Sequence, residues 1–120
     1  CFTLENFDNL IKNGRMNKMA GFLAKALGMW GIGSASDEGR IVVEGKTRGP
    51  KRTVRALIEC MRERGFAGGN VAISHCDNHA VAQALKEGIL GAWADSRVEI
   101  LPTRGLCSYY AERGGLIVGF

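Results

Sequence analysis

The sequence predicts a single two-layer α+β or α/β domain, in which a mixed β-sheet of about five strands packs with about four helices. Its 120 residues are enough to bury one core. The composition, 46% hydrophobic and 23% charged, is typical of a globular protein. Amphipathic helical stripes alternate with short apolar segments, and neither a repeat nor a linker divides residues 1–120 into smaller domains.

Two helices are predicted after a strand end at residues 1–4. Residues 5–12 form a short helix with Thr3 as its possible cap, and Asn13-Gly14 ends it because both residues tolerate left-handed backbone. Residues 16–27 form a longer helix that is either a central core helix or the wall of a lipid-sized cavity with Arg15 at its mouth. Phe22 lies off the apolar stripe and widens the apolar face, and the stripe itself follows helical spacing: Met16, Met19, Ala20, Leu23, Ala26 and Leu27.

The middle of the chain predicts a hairpin followed by a helix. Strands at residues 29–36 and 40–44 flank the turn Asp37-Glu38-Gly39. Residues 45–49 are predicted to be a basic loop, and Pro50 suits the first turn of the next helix. That helix ends at Gly65 and carries a regular apolar stripe: Val54, Leu57, Ile58 and Met61.

The last third continues as strand, helix and strand. Residues 70–75 are a short buried strand, after which Asp77 or Asn78 caps a helix that Gly91 closes. Residues 97–101 alternate like a half-buried strand. We expect a short extended piece at residues 107–110 and a final strand within residues 114–120.

The distribution of charge indicates which kinds of partner the chain could bind. The net charge is +4, and five basic residues crowd into one stretch: Lys46, Arg48, Lys51, Arg52 and Arg55. Such a cluster meets phosphate, an acidic protein or only water. A nucleic-acid or acidic-partner module is therefore an alternative function, although the cluster lacks interleaved aromatic residues.

The four widely spaced cysteines predict reduced, packing thiols in a cytoplasmic protein. The chain has no apolar run long enough for a membrane span, and residues 1–13 do not resemble a signal peptide. Because its first residue is cysteine rather than methionine, we expect a fragment or a processed piece.

The strand end that holds His75, Cys76, Asp77 and His79 is the one cluster in the sequence that resembles a set of metal ligands. The pattern is weak, because a zinc site usually shows a second ligand pair at a distance. A strand end with a capping Asp77 and surface imidazoles explains the pattern better. No nucleotide-binding glycine loop and no nucleophile triad is present, so we expect no metal, no cofactor and no catalytic residue.

Two arginines are the better functional candidates. Arg15 opens an apolar helix, where a cation gains nothing from the helix dipole, and a guanidinium there can hold a carboxylate or phosphate. Arg48 precedes Gly49-Pro50 just ahead of a helix, and from the residues alone it is one solvated charge among several.

The ordered motifs resemble those of the DegV family. The segment Leu-Ile-Lys-Asn-Gly-Arg-Met-Asn-Lys at residues 10–18 is similar to the family's LxxGGRIsK segment. The later elements follow in the same order as in the family. They are the apolar helix, the hairpin at residues 37–41, the Gly45–Gly49 segment with its basic helix, the Ile73–Asn78 strand end and the glycine-rich final strand.

The resemblance implies a C-terminal domain whose N-terminal partner domain is absent from this chain. Family members bind one long-chain fatty acid between the two domains, and characterised relatives present its carboxyl group to a fatty acid kinase. By position, Arg15 matches the arginine near the head group, and Arg48 matches an arginine implicated in kinase docking. The tail wall corresponds to Met16, Met19, Phe22 and Leu23.

One departure concerns the head group. Tyr110 stands where many relatives carry a histidine that joins the carboxylate network. A tyrosine hydroxyl still donates to a carboxylate, whereas Glu112 nearby would repel one. The tyrosine in place of the histidine predicts that the chain belongs to a divergent DegV subgroup, whose ligand is a fatty acid or a related lipid. Because an uncovered apolar face invites association, we also expect the isolated fragment to self-associate.

Overall fold

The computed structural model describes residues 1–16 and 29–120. In chain order these residues form β1 (Phe2–Leu4), α1 (Asp8–Lys12), β2 (Met29–Ala35), β3 (Ile41–Arg48), α2 (Pro50–Glu63), β4 (Asn70–His75), α3 (His79–Ala92), β5 (Arg97–Pro102), α4 (Gly105–Ala111) and β6 (Leu116–Gly119). The predicted longer helix over residues 16–27 lies outside the described residues, except for Met16, which follows the turn after α1.

The strands form one mixed sheet in the order β3-β2-β1-β6-β4-β5. Among the described strands, only β4 and β5 pair in parallel, joined by α3, and the other neighbours are antiparallel. This confirms the predicted α+β class, with six strands in the described residues where about five were expected. No helix among the described residues is long and apolar enough to cross a bilayer.

The larger core lies between the sheet and the pair α2 and α3. Leu57 and Met61 of α2 are fully buried, as are Leu85 and Ile89 of α3. They pack on the sheet residues of one face, including Ile73. The stripe that predicted α2 is therefore the face by which the helix contacts the sheet.

Strand β3 corrects the prediction of a basic loop at residues 45–49. It continues to Arg48, which pairs with Met29 of β2. A bulge at Ile32/Gly33 absorbs the extra residue, so the strand continues past Gly45. The turn at residues 37–39 is confirmed, and Gly39 has the positive φ of 74° that this turn requires.

Three other local predictions were wrong. Residues 107–110 belong to α4 rather than to an extended piece. Helix α1 begins at Asp8 instead of residue 5, and Thr3 lies in β1, where its hydroxyl donates to Gly31 at 2.9 Å instead of capping a helix. The predicted start of α3 is confirmed, because Asn78 is its N-cap residue, although the Asn78 side chain donates to the Gly114 carbonyl rather than capping the helix.

Candidate functional site

The sheet face opposite α2 and α3 carries a second, smaller core. Leu4 of β1 packs with Phe7, Leu10 and Ala111 there, and all four side chains are buried. Helices α1 and α4 supply this cluster, but they are only 5 and 7 residues long. Among the described residues, these two short helices cover part of the face, and neighbouring apolar side chains such as Ile117 are exposed.

Glycines on β2 let aromatic rings lie directly on the backbone of this face. A side-chain carbon at Gly31 would overlap the Phe7 ring, and one at Gly33 would overlap the Phe2 ring. A bare backbone is therefore required where α1 docks on the sheet. The contact with Gly33 places the Phe2 ring at the uncovered region, where it lines an apolar cavity.

Beside this cluster is an apolar cavity of about 180 Å³. Its lining is almost free of polar surface and comes from four strands and two helices: Phe2, Leu4, Leu10, Ser34, Ala35, Ile41, Tyr110, Ala111 and Ile117. Strand pairing assembles these residues, since Phe2 pairs with Gly33 on one side and Ile117 on the other. The cavity therefore has an apolar interior suited to hydrocarbon.

The cavity adjoins a wider groove of about 870 Å³, because Leu10, Ile41 and Tyr110 line both. The groove has more polar walls than the cavity, and its remaining lining is Gly14, Arg15, Met16, Gly39, Arg40, Val42, Val43 and Leu106. We call the two together the apolar groove. It combines an apolar inner end with two guanidinium groups near its wider part.

Arg15 is held at the groove by the backbone of the turn that follows α1. The N–H groups of Arg15 and Met16 both donate to the Leu10 carbonyl, at 2.8 and 3.2 Å. Gly14 makes the turn possible with a φ of 68°. The Arg15 side chain is exposed, so its guanidinium can contact an anion without first losing a buried partner.

Tyr110 is positioned by the docking of α4 on α1. Asn9 donates from its side chain to the Tyr109 carbonyl at 2.8 Å, and the Asn13 amide donates to the Tyr109 hydroxyl at 3.0 Å. Tyr110 is half-buried and lines both parts of the groove. Sequence reasoning placed Arg15, Met16 and Tyr110 in one site, and the structure brings all three to this groove.

Glu112 has a partner that the sequence did not reveal. Its Oε1 accepts the backbone N–H of Asn9 at 2.8 Å, which ties the end of α4 to the start of α1. Glu112 also adopts a positive φ of 52°. The carboxylate is thus engaged in holding the two helices together, which reduces its availability to repel a bound anion.

Arg48 lies apart from these residues. It is exposed at the end of β3 and does not line the apolar groove. Lys46 precedes it on the same strand, and Lys51, Arg52 and Arg55 follow on α2, all exposed. The tail-wall residues Met19, Phe22 and Leu23 lie outside the described residues.

Sequence reasoning missed a polar cluster at the β2–β3 bulge. Glu44 accepts hydrogen bonds from the Ser34 hydroxyl and the Arg64 guanidinium, each at 2.6 Å, and the Cys60 thiol lies 3.2 Å from its other oxygen. The hydrogen bond from Ser34, followed by that from Arg64, lowers the pKa of Glu44 to about 2. Burial raises the pKa of the Cys60 thiol. No local signal marked this cluster, because the bulge arises from pairing.

The side chains that resemble metal ligands in the sequence contact other residues in the structure. The His75 and His79 rings meet edge to face with centroids 5.5 Å apart, and His75 Nδ1 accepts the N–H of Asn78 at 3.2 Å. Asp77 pairs with Arg113 at 2.7 Å. Within residues 1–16 and 29–120, no group of three or more His, Cys, Asp or Glu side chains is arranged to hold a metal ion.

Comparison with known proteins places the chain in a family. The family described as "Uncharacterised protein, DegV family" matches residues 1–120. The chain belongs to the DegV family. A DegV domain-containing protein of Streptococcus pyogenes is 40% identical over 119 residues, which are 99% of this chain and 42% of that protein. The chain therefore spans less than half the length of the curated DegV relatives it matches.

Solved DegV structures have the same fold. A DegV family protein of Eubacterium eligens, loaded with heptadecanoic acid, is 38% identical with a TM-score of 0.94 over 98% of this chain and 42% of that one. The fatty acid kinase (Fak) B3 protein of Streptococcus pneumoniae, loaded with linoleic acid, is 39% identical with a TM-score of 0.95 over 99% of this chain and 42% of that one.

Proposed function

We propose that this DegV domain forms part of a binding site for a long-chain fatty acid, with the acyl tail in the apolar groove. The observation that carries the proposal is the cavity lined almost entirely by apolar atoms, which opens toward Arg15. Two DegV relatives at 38% and 39% identity hold heptadecanoic and linoleic acid. An apolar groove with a cation near its wide end suits a molecule with a long tail and one carboxylate.

The volumes fit a tail better than a compact ligand. Small-molecule sites usually enclose about 300–1,000 Å³, so the 180 Å³ cavity alone takes only part of a chain. The 870 Å³ of the adjoining groove takes the remainder. Burying each methylene contributes about 0.8 kcal/mol, so a 16-carbon chain gains on the order of 10 kcal/mol before ordering costs.

We assign the carboxylate to the wider part of the groove. Arg15 supplies the charge there, and the Tyr110 hydroxyl supplies a donor where relatives carry histidine. The tail wall is completed by Met16 and, through the family resemblance, by Met19, Phe22 and Leu23. Because the apolar interior contributes most of the binding free energy, the head-group contacts mainly fix orientation.

The domain is proposed to act as the C-terminal half of a cytoplasmic carrier that is not itself a catalyst. A family N-terminal domain would close over the groove, and a fatty acid kinase would phosphorylate the presented carboxyl group. Arg48, exposed at the end of β3, is the proposed docking residue for that kinase. The Fak B3 relative supports a partner of this kind.

The test is to identify the bound molecule in the full-length protein by native mass spectrometry and extraction. Ala35→Phe places a ring at the cavity lining, and Ala94→Phe places the same ring in the exposed loop between α3 and β5. We expect a long-chain fatty acid in the wild type and in Ala94→Phe, and at least tenfold less in Ala35→Phe. An empty wild-type protein, or equal loading of both variants, would contradict the proposed site.

A further inference from the structure

The first turns of α2 and α3 lie side by side and leave an apolar slot between them. The slot has a volume of about 420 Å³ and is lined by Pro50, Lys51, Val54, Ala80, Val81 and Ala84. Ala80 and Ala84 are exposed. Because an alanine side chain ends at Cβ, these two positions leave a recess that larger residues would fill.

The slot lies at the N-terminal end of the helix pair. Farther along, α3 carries Gly88, and a side-chain carbon there would come within 2.6 Å of Ile58 Cδ1 and 3.4 Å of Val54 Cγ1. The helices are thus in close contact at Gly88 and separate toward their N-termini. The slot lies on the helical layer, across the sheet from the apolar groove that we assign to the lipid.

Basic side chains lie along the α2 side of the slot. Lys51 belongs to its lining, and Arg52 and Arg55 are exposed on the same helix. Neither α2 nor α3 has an acidic residue in its first turn. Two of the nearest acids along the chain have cationic partners, since Asp77 pairs with Arg113 and Glu59 with Arg62, both at 2.7 Å. Glu87, one turn beyond Ala84 on α3, accepts a hydrogen bond from the Gln83 side chain at 3.1 Å.

These cations oppose the stability of α2. The N-terminus of a helix carries partial positive charge, so a lysine or arginine in the first turn is unfavourable, and a carboxylate would be favourable. The sequence Pro-Lys-Arg at the start of α2 places two cations there. Binding of an external anionic group therefore explains the position of these two cations better than a contribution to helix stability does.

We propose that the slot docks an amphipathic helix of a partner protein, whose apolar side chains enter between α2 and α3 and whose flanking carboxylates face Lys51 and Arg55. Helix-in-groove recognition uses apolar anchors at helical spacing, which a narrow apolar slot accepts. Lys51, Arg52 and Arg55 form a basic rim on the slot, and this rim favours binding of an acidic helix over a basic one. The lining contains no aromatic side chain on which a nucleic-acid base would stack.

The experiment uses the full-length protein and two peptides of about three helical turns. Both carry leucine at i, i+3, i+4 and i+7; one has glutamate and the other lysine at the flanking positions. Amide chemical shifts report where each binds. We expect the glutamate peptide to perturb Lys51, Val54, Ala80 and Ala84, and the lysine peptide to bind at least about tenfold more weakly because like charges meet at the rim.

Two variants separate docking from folding. Lys51→Glu should weaken binding of the glutamate peptide at least about fivefold, while its melting temperature stays equal or rises because the new carboxylate suits the helix dipole. Arg97→Glu makes the same change in net charge on β5, outside the slot lining, and should change affinity less than about twofold.

Several results would overturn the proposal: no binding of the glutamate peptide, equal binding of both peptides, or perturbed amides outside the slot. Tighter binding of DNA than of the peptide at the same residues would assign the surface to nucleic acid instead. Fatty acid loading is measured on the same samples. Loss of loading with intact peptide binding would count against the lipid site alone, and the reverse would count against the slot alone.

Discussion

At the scale of single residues, Glu44 shows how the bulge between β2 and β3 is stabilised. Its carboxylate receives hydrogen bonds from Ser34 and Arg64, and the Arg64 guanidinium also donates to the Ser34 hydroxyl. Ser34 is buried and also lines the inner end of the apolar groove. The cluster therefore connects the end of α2 to the sheet beneath the proposed lipid tail.

The lowered pKa of Glu44 predicts a pH-dependent contribution to stability. Because folding lowers this pKa from its usual 4.5 to about 2, the contribution is complete above about pH 4.5 and is lost as the pH falls toward 2. We expect Glu44→Gln to lower the free energy of unfolding in urea at neutral pH, and the difference from wild type to shrink below pH 4.5.

The matched control for this residue is Glu38→Gln. Glu38 pairs with Arg40 at 3.6 Å, and both side chains are highly exposed, so its loss should change stability little. A difference between wild type and Glu44→Gln that stays constant from neutral pH to pH 3 would show that the ionised carboxylate is not the source of the effect.

At the scale of elements, local patterns predicted α2, α3 and the hairpin turn, because each has its own apolar spacing or turn residues. The same local patterns wrongly predicted a loop at the end of β3 and an extended piece within α4. The stretch Lys46–Arg48 is polar and lies between glycines, which is typical of a loop, yet pairing with β2 makes it a strand. Residues 105–111 contain two tyrosines and a cysteine, and their helix is stabilised by docking on α1.

The site was predictable where the residues themselves or the family pattern marked it. Arg15 stands out from the sequence as a cation that opens an apolar helix, Tyr110 is identified through the DegV resemblance, and both line one groove. The inner lining has no such signal, because Phe2, Ala35 and Ile117 come together through the pairing of β1 with β2 and β6. Register of this kind depends on contacts between residues distant in sequence, which local spacing does not encode.

The contact between α2 and α3 gives a prediction for two glycines of the same helix. Gly88→Leu should lower the free energy of unfolding by about 1–3 kcal/mol, because the new side chain meets Ile58 and Val54. Gly91→Leu should raise it by up to about 1 kcal/mol, since nothing lies near its added carbon and leucine favours a helix. Chemical denaturation measures both. Equal effects at the two positions would mean that the helices are not in close contact at Gly88.

At the scale of the whole molecule, the described residues cover the two faces of the sheet unequally. Within residues 1–16 and 29–120, α2 and α3 cover one face with a continuous core, whereas α1 and α4 cover only part of the other. Among the described residues, large apolar side chains remain exposed, including Ile117 at 36% and Leu106 at 69% of their surface. Since the chain spans 42% of its curated relatives' length, this face is where we expect the rest of a full-length protein to pack.

The 120-residue chain alone should therefore self-associate through this face. Light scattering at rising protein concentration should give a mass above the 13.0 kDa monomer. Ile117→Lys places a charge on the open sheet face and should shift the mass back toward the monomer, because a buried unpaired ammonium is costly. Ala94→Lys adds the same charge in the α3–β5 loop and should leave association unchanged. A wild-type mass that stays at 13.0 kDa at the highest concentration would show that the open face does not drive association. Equal dissociation of both variants would contradict the prediction as well, because the added net charge alone would then explain the loss of association.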